Sequence, residues 1–237
     1  MNKPLYKHIL LKLSGEALMG KKEFGIDLNT ITKITRQISS IFNDGIKISI
    51  VVGGGNIFRG ILAESIGMDR TSADYTGMMA TVINALLLQN SLEKLKLPTR
   101  VLSAIQMDTI CEPFIKRRAI RHIEKNRIVI FAAGTGNPFF TTDTAAALRA
   151  SEMKCDVIFK ATKVDGIYDS DPLKNKNAKR FKEISYSDVI KKDLKIMDTS
   201  AISLSKENNI SIVVFSLLEK NSLVKVSRGL GNFTKIS

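Results

Sequence analysis

The chain has 237 residues, 44% hydrophobic and 25% charged, the balance of a soluble globular protein with apolar material for one large α/β domain or two small ones. Its formal charge of +13 is scattered in pairs such as Lys21-Lys22, Arg117-Arg118 and Lys191-Lys192, with no basic run that would make a nucleic-acid arm. Cys111 and Cys155 stand outside any CxxC spacing and His8 and His122 are far apart, which excludes a disulfide framework and a zinc site; no apolar run reaches membrane length or forms a signal segment, so a cytoplasmic protein is expected.

In chain order, the apolar run 8–13 ends in Lys12-Leu-Ser-Gly15. Leu28, Ile31, Ile34, Ile38, Ile41 and Phe42 then recur at helical spacing, with Asp27 placed to cap the helix and Gly45 to stop it. A second strand, 47–52, leads into Gly53-Gly-Gly-Asn-Ile-Phe-Arg-Gly60. A long helix is expected over 73–95, with Asp74 at its start, followed by a strand over 100–103 and a helix over 113–125. The run 127–132 opens into Gly134-Thr-Gly-Asn-Pro-Phe-Phe-Thr-Thr-Asp143 and a helix over 144–153. Strand 156–160 passes into Lys160-Ala-Thr-Lys-Val-Asp-Gly166, and the polar stretch 169–180 reads as a mobile loop. A helix over 200–207, a strand over 211–215 and a helix over 217–226 complete the series. This alternation predicts an α/β fold, a three-layer α/β/α sandwich around a mainly parallel sheet, with ligands beyond the carboxyl ends of the strands.

Those strand ends carry the chemistry. Backbone amides from Gly134 to Asn137, the hydroxyls of Thr141 and Thr142, and a helix N-terminus together suit an anion. Asp143 in the first helical turn reads either as a charge favoured by the helix dipole or as an acid beside that anion. Lys12 alone could snorkel from its strand, but with the bare amides of Gly53 to Gly55 and the forked donors of Arg59 it makes a phosphate cradle. Two nucleotide motifs fail. Gly15-Glu-Ala-Leu-Met-Gly-Lys21 matches a P-loop until Lys22 replaces the magnesium-holding Ser or Thr, and Phe58 and Phe139 occupy the last glycine position of a dinucleotide fingerprint.

Five motifs, Ile9-Leu-Leu-Lys-Leu-Ser-Gly-Glu-Ala-Leu18, Val52-Gly-Gly-Gly-Asn-Ile-Phe-Arg-Gly60, Gly77-Met-Met-Ala-Thr-Val-Ile-Asn84, Gly134 to Asp143 and Lys160 to Gly166, carry a resemblance over nearly the whole chain. The chain resembles the bacterial UMP kinases (uridylate kinases) of the amino acid kinase superfamily. The resemblance implies transfer of phosphoryl from ATP to UMP with Mg2+ carried by ATP, on one domain whose lobe 1–153 takes UMP and whose lobe 154–237 takes ATP. It implies ATP contacts from Lys12, Leu13, Ser14, Gly15, Gly55, Arg59, Thr162, Tyr168 and Asp171. For UMP it implies Gly54, Asp74, Thr135, Gly136, Asn137, Pro138, Phe139, Phe140, Thr141 and Thr142, with Asp74 on the sugar hydroxyls.

Gly20, Lys21, Lys22, Glu23, Phe24 and Gly25, the segment that mimics a P-loop, fall where the family binds allosteric GTP; UTP is the implied inhibitor and a homohexamer the implied assembly. Nucleic-acid binding is not expected as a main role. Catalysis is assigned to Lys12, Arg59, Asp143 and Asp198, the two aspartates holding Lys12 and the Mg-nucleotide in register. Asp198 alone could instead cap the helix that follows it. The sequence departs from the pattern at Tyr75, where many relatives carry His.

Overall fold

Six apolar runs, each buried on both faces, form the centre of one sheet: β1 (His8–Leu13), β2 (Lys47–Val52), β3 (Thr99–Ser103), β5 (Ile128–Ala132), β6 (Val157–Thr162) and β8 (Ser211–Ser216). The computed structural model describes residues 3–59, 65–170, 172, 174–175, 177–217 and 219–237. Among them, three short strands, β4 (Glu112–Pro113), β7 (Glu183–Ile184) and β9 (Thr234–Ile236), complete a nine-stranded sheet of order β4-β3-β5-β2-β1-β6-β8-β9-β7. All neighbours are parallel except β8 and β9. The chain leaves β1 toward β2 on one side and returns to β6 on the other, so the strand order reverses between β1 and β6, the place where α/β sheets open a ligand crevice.

Alternation along each strand sorts the core into two layers. Ile9, Leu11 and Leu13 of β1 and Val157, Phe159 and Ala161 of β6 face α1 (Leu28–Asn43), α2 (Arg70–Lys94) and α7 (Ser222–Ser227). Leu10 and Ile158 face the opposite layer, which holds α3 (Lys116–Glu124), α4 (Thr142–Met153), α5 (Tyr186–Lys191) and α6 (Thr199–Glu207). Lys12 shares the parity of Leu10, and Lys160 that of Ile158. Both lysines therefore point into the α4 layer, and they are direct partners in the β1–β6 register.

The three-layer sandwich matches the expectation, and Asp27 does cap α1, accepting from the Asn29 and Thr30 amides at 2.7 and 3.1 Å. Several boundaries differ for local reasons. α2 starts at Arg70 because Asp69 accepts from the Ser72 amide at 3.1 Å, which places Asp74 inside the helix rather than at its start. Pro113 belongs to β4, so α3 starts only at Lys116. The last helix is confined to α7, starting at Ser222 rather than 217. Within 169–180 the described residues form a loop closed by an antiparallel bridge between Tyr168 and Arg180; Asp171 lies outside the described residues. No helix among the described residues is long and apolar enough to cross a membrane.

Phe159 ties the sheet together next to Lys160. It is fully buried and packs edge-on against Tyr6 and Phe215, with ring centroids 5.5 and 5.8 Å away. We expect Phe159→Ala to cost about 3–5 kcal/mol, read as a lower urea midpoint; a loss below about 1 kcal/mol would mean that the ring does not anchor β6.

Candidate active site

α4 delivers one carboxylate onto the paired lysines. Thr141 caps the helix, its hydroxyl oxygen accepting from the Asp143 and Thr144 amides at 3.1 and 3.3 Å, and this fixes Asp143 in the first turn above the ends of β1 and β6. Lys12 Nζ lies 2.6 Å from Asp143 Oδ1, and Lys160 Nζ donates to Asp143 Oδ2 at 2.6 Å. All three side chains are nearly buried, 8%, 16% and 10% exposed in the order Lys12, Asp143, Lys160.

The electrostatics follow from that burial. Desolvation is the strongest influence on Asp143 and opposes its charge, but Lys12 and Lys160 together outweigh it and hold the carboxyl below its ordinary range. Desolvation likewise leads for Lys160, reinforced by repulsion from Lys12 and opposed by Asp143, and lowers its pKa from 10.5 to about 8. Two ammonium groups share one carboxylate, so the cluster keeps one excess positive charge at the end of the sheet.

Around this centre lie three cavities. The first, about 430 Å3, is lined by Gly54, Gly55, Asp74, Thr135, Phe140 and Thr142. The second, about 470 Å3, is bordered by Asp143 and Asp198. The third, about 640 Å3, is bordered by Lys160, Thr162 and Tyr168. Consecutive residues Thr142 and Asp143 thus separate the first space from the second, and Lys160, bonded to Asp143, opens the third.

The glycine-rich ends of β1 and β2 interlock. A Cβ on Gly15 would lie 2.6 Å from Gly55 N, and one on Gly54 would lie 2.7 Å from the Gly77 carbonyl oxygen on α2, whereas Gly55 faces open space. Ser14 accepts from the Ala17 amide at 3.2 Å, closing the turn after Leu13. Arg59 folds back on the same turn, donating from Nε to Gly55 O at 2.9 Å, with Nη2 3.5 Å from Glu16 Oε1. Its guanidinium is half exposed, and Nη2 also donates to Met19 Sδ at 3.8 Å.

The loop before α4 is shaped by left-handed backbone: Gly136 at φ 81° needs its missing side chain, while Phe139 holds φ 71° despite having one. Asp74 supports that strained residue, accepting from the Phe139 amide at 2.7 Å. Arg70 Nε in turn donates to both Asp74 oxygens, at 3.0 and 2.9 Å, and its guanidinium lies 5.7 Å from the Phe139 ring centroid. Thr135 and Asn137 bond to each other, Phe139 and Phe140 are exposed, and Pro138 lies between them and the turn.

The structure revises part of the expected catalytic set. No hydrogen bond or ion pair joins Asp198 to Lys12. Asp198 caps α6, accepting from the Ala201 amide at 2.8 Å, and also accepts the hydroxyls of Thr144, at 2.8 Å, and Thr141. Thr141 is accordingly spent as a cap. Lys160 joins the centre, and its only signal along the chain is a charge at the end of a second buried strand. Thr162 Oγ1 donates to Val164 O at 2.7 Å and Tyr168 donates to Asp165 at 2.6 Å, both beside the third cavity. Gly20 to Gly25 forms an exposed turn whose last amide donates to Asn56 O at 2.7 Å.

A family model described as the amino acid kinase family matches residues 7–216. A uridylate kinase from Rickettsia bellii is 59% identical over 231 residues, covering 98% of this chain and 97% of that protein. One from Wolbachia pipientis is 57% identical over 232 residues, covering 98% and 94%. Among solved structures, the UMP kinase of Ureaplasma parvum superposes with a TM-score of 0.94 at 41% identity, covering 98% of both chains. That of Bacillus anthracis gives 0.95 at 39% identity, covering 98% of this chain and 96% of the other. The chain belongs to the amino acid kinase family, among its uridylate kinases.

Proposed function

We propose that this chain transfers the γ-phosphoryl group of ATP to UMP, giving ADP and UDP. The observation that carries the reading is the Asp143 carboxylate clamped between Lys12 and Lys160, 2.6 Å from each, with Asp143 bordering the second cavity, Lys160 the third and the adjoining Thr142 the first. The bond from γ-phosphorus to the oxygen bridging to ADP breaks as an oxygen of the UMP phosphate bonds to phosphorus. That oxygen is already anionic, so no general base is needed. What the protein supplies is alignment and cations for charge on the transferring group. Lys12 and Lys160 face it from the strand ends, Asp143 fixes both ammonium groups, and Arg59 adds its donors from the glycine turn.

In this reading Ser14, Gly15 and Gly55 border the donor phosphates, and Thr162, Tyr168 and Asp171 serve the adenosine. The first cavity takes UMP between Gly54, Asp74 and the loop Thr135 to Thr142. Residues 1–153 then act as the acceptor lobe and 154–237 as the donor lobe. Mg2+ fits this donor set as a cation brought by ATP. Among the described residues no three His, Cys, Asp or Glu side chains converge, and Asp143 has both oxygens on lysines, which leaves Asp193 and Asp198 as the other carboxylates bordering the same cavity. Magnesium that keeps its phosphate and water ligands asks only one or two carboxylates of the protein, and it supplies charge neutralisation on the phosphates. The resemblance extends the proposal to a cytoplasmic homohexamer with GTP as allosteric effector at Gly20 to Gly25 and UTP as inhibitor.

A coupled assay across nucleoside monophosphates tests the activity: kcat/KM for UMP should exceed that for CMP by about 10²-fold or more, and equal values would remove the acceptor assignment. Lys12→Met should lower kcat by about 10²–10³-fold while the fold persists, because Asp143 keeps Lys160 as its partner; unchanged kcat would take Lys12 out of the transfer site. Asp143→Asn strands two buried ammonium groups and should cost about 3–5 kcal/mol of stability, measured by urea unfolding.

The low pKa of Lys160 sets a pH dependence. Its cationic form is the working one, so kcat/KM for ATP should fall as pH rises through about 8 in the free enzyme. The sign for stability is opposite: between about 8 and 10.5 the unfolded chain binds more protons at this site, so this site's contribution to stability rises with pH. Lys160→Arg should move the activity limb upward, since a guanidinium keeps its proton; a limb at the same pH would assign the titration to another group.

A further inference from the structure

Two positions in the quoted motifs, Asn56 after the triple glycine and Asn84 on α2, have no part in the mechanism above, yet both are fully buried, at 0% exposure. Their side chains pair reciprocally. Asn84 Nδ2 donates to Asn56 Oδ1 at 2.7 Å, and Asn56 Nδ2 donates to Asn84 Oδ1 at 3.0 Å. Each amide also reaches a glycine carbonyl, Asn84 Nδ2 donating to Gly53 O at 2.7 Å and Asn56 Nδ2 to Gly25 O at 3.1 Å. The backbone adds a further clasp, since the Gly25 amide donates to Asn56 O at 2.7 Å. Gly25 is thus held to Asn56 through both its N–H and its C=O.

The pair also presses on the end of β1. A Cβ on Gly15 would stand 2.5 Å from Asn56 Oδ1, so the glycine turns of β1 and β2 close around this side chain. Carboxamides suit the task because each supplies two donors and one acceptor oxygen, and both groups here spend donors and acceptor on fixed partners. Fully satisfied buried polar networks hold one geometry, because every alternative leaves a donor or carbonyl unpaired. One end of this network is the bare turn at Gly53 to Gly55. The other is the segment 20–25, whose Lys21, Lys22, Glu23 and Phe24 are exposed.

We infer that Asn56 and Asn84 are positioning residues that fix the glycine turn against the donor phosphates and couple it to Gly25, so that a phosphate on the turn tightens the 20–25 segment and the reverse. The inference rests on the proposed reading of that turn as the donor cradle. Coupling is reciprocal by thermodynamic necessity, which lets either end report on the other.

Hydrogen exchange on the full chain, with and without a non-hydrolysable ATP analogue and Mg2+, tests this directly. In the wild-type protein the analogue should slow exchange of the Gly25 amide by about tenfold, although the segment makes no contact with the cavities beside Lys160. Asn84→Asp keeps the acceptor but loses the donors to Gly53 O and Asn56. It should raise KM for ATP by about tenfold and leave Gly25 exchange indifferent to the analogue. A purely structural role would lower the melting temperature while Gly25 exchange still responded to the analogue. Gly25 exchange unchanged by an analogue that binds overturns the inference, and this wild-type measurement stands even where the variant does not fold. An analogue that fails to bind at all overturns the donor-site reading first, and the two failures are told apart by the binding isotherm.

Discussion

The site depends on a single buried carboxylate shared by two lysines. Moving any one of these charges out of water is costly, and only close pairing makes the arrangement tolerable. The pairing needs three things at once: β1 and β6 adjacent, parallel and in register at Lys12 and Lys160; both lysines on the α4 side of the sheet; and a cap at Thr141 that starts α4 at the height where Asp143 reaches both. The reversal of strand order at β1 and β6 supplies the first condition and the period-two alternation the second. What remains is one positive charge more than the carboxylate can match. In the proposed reading a phosphate would enter a site already set for an anion, the energy of arranging the cations having been spent in folding.

The parts of this arrangement that were legible in the sequence are those with a periodic or compositional signature. Strands buried on both faces read as apolar runs, and α1 carried its own start and stop in Asp27 and Gly45. β4 and β7 have two residues each and β9 three, too few for alternation to show. They pair at the sheet margins because the neighbouring strands offer free edges, a long-range cause. The start of α2 at Arg70 was set by the Asp69 cap, one side chain overriding the weaker propensity signal further along.

Lys160 shows the limit most clearly. Along the chain it is a charge at the end of an apolar run, and snorkelling to solvent explains such a residue equally well. Its meaning comes from register with Lys12, separated by most of the chain, and register is a tertiary fact. Asp198 is the converse. Its place before a helix supported a cap, and the structure makes it one, but it also receives two threonine hydroxyls from the start of α4. It therefore ties α6 to the helix that carries Asp143, and its charge also favours the protonated form of Lys160.

The acceptor side has a different economy. Asp74 already accepts from Arg70 and from the amide of Phe139, a residue held in left-handed backbone. Sugar hydroxyls that reach this carboxylate would exchange bonds with these donors more than add to them, and an exchanged neutral bond is worth only about 0.5–1.5 kcal/mol net. Discrimination among nucleotides therefore cannot rest on Asp74 as a simple count of hydrogen bonds. It has to come from what the exchange releases: if the Phe139 amide is freed, the strained turn and the exposed rings of Phe139 and Phe140 can settle on a base of the right shape, and a base that does not fit leaves the amide unpaired and the turn strained. In the proposed reading the carboxylate, the left-handed residue and the two rings would act as one device, in which the contact that holds the loop is the contact that a correct acceptor would replace.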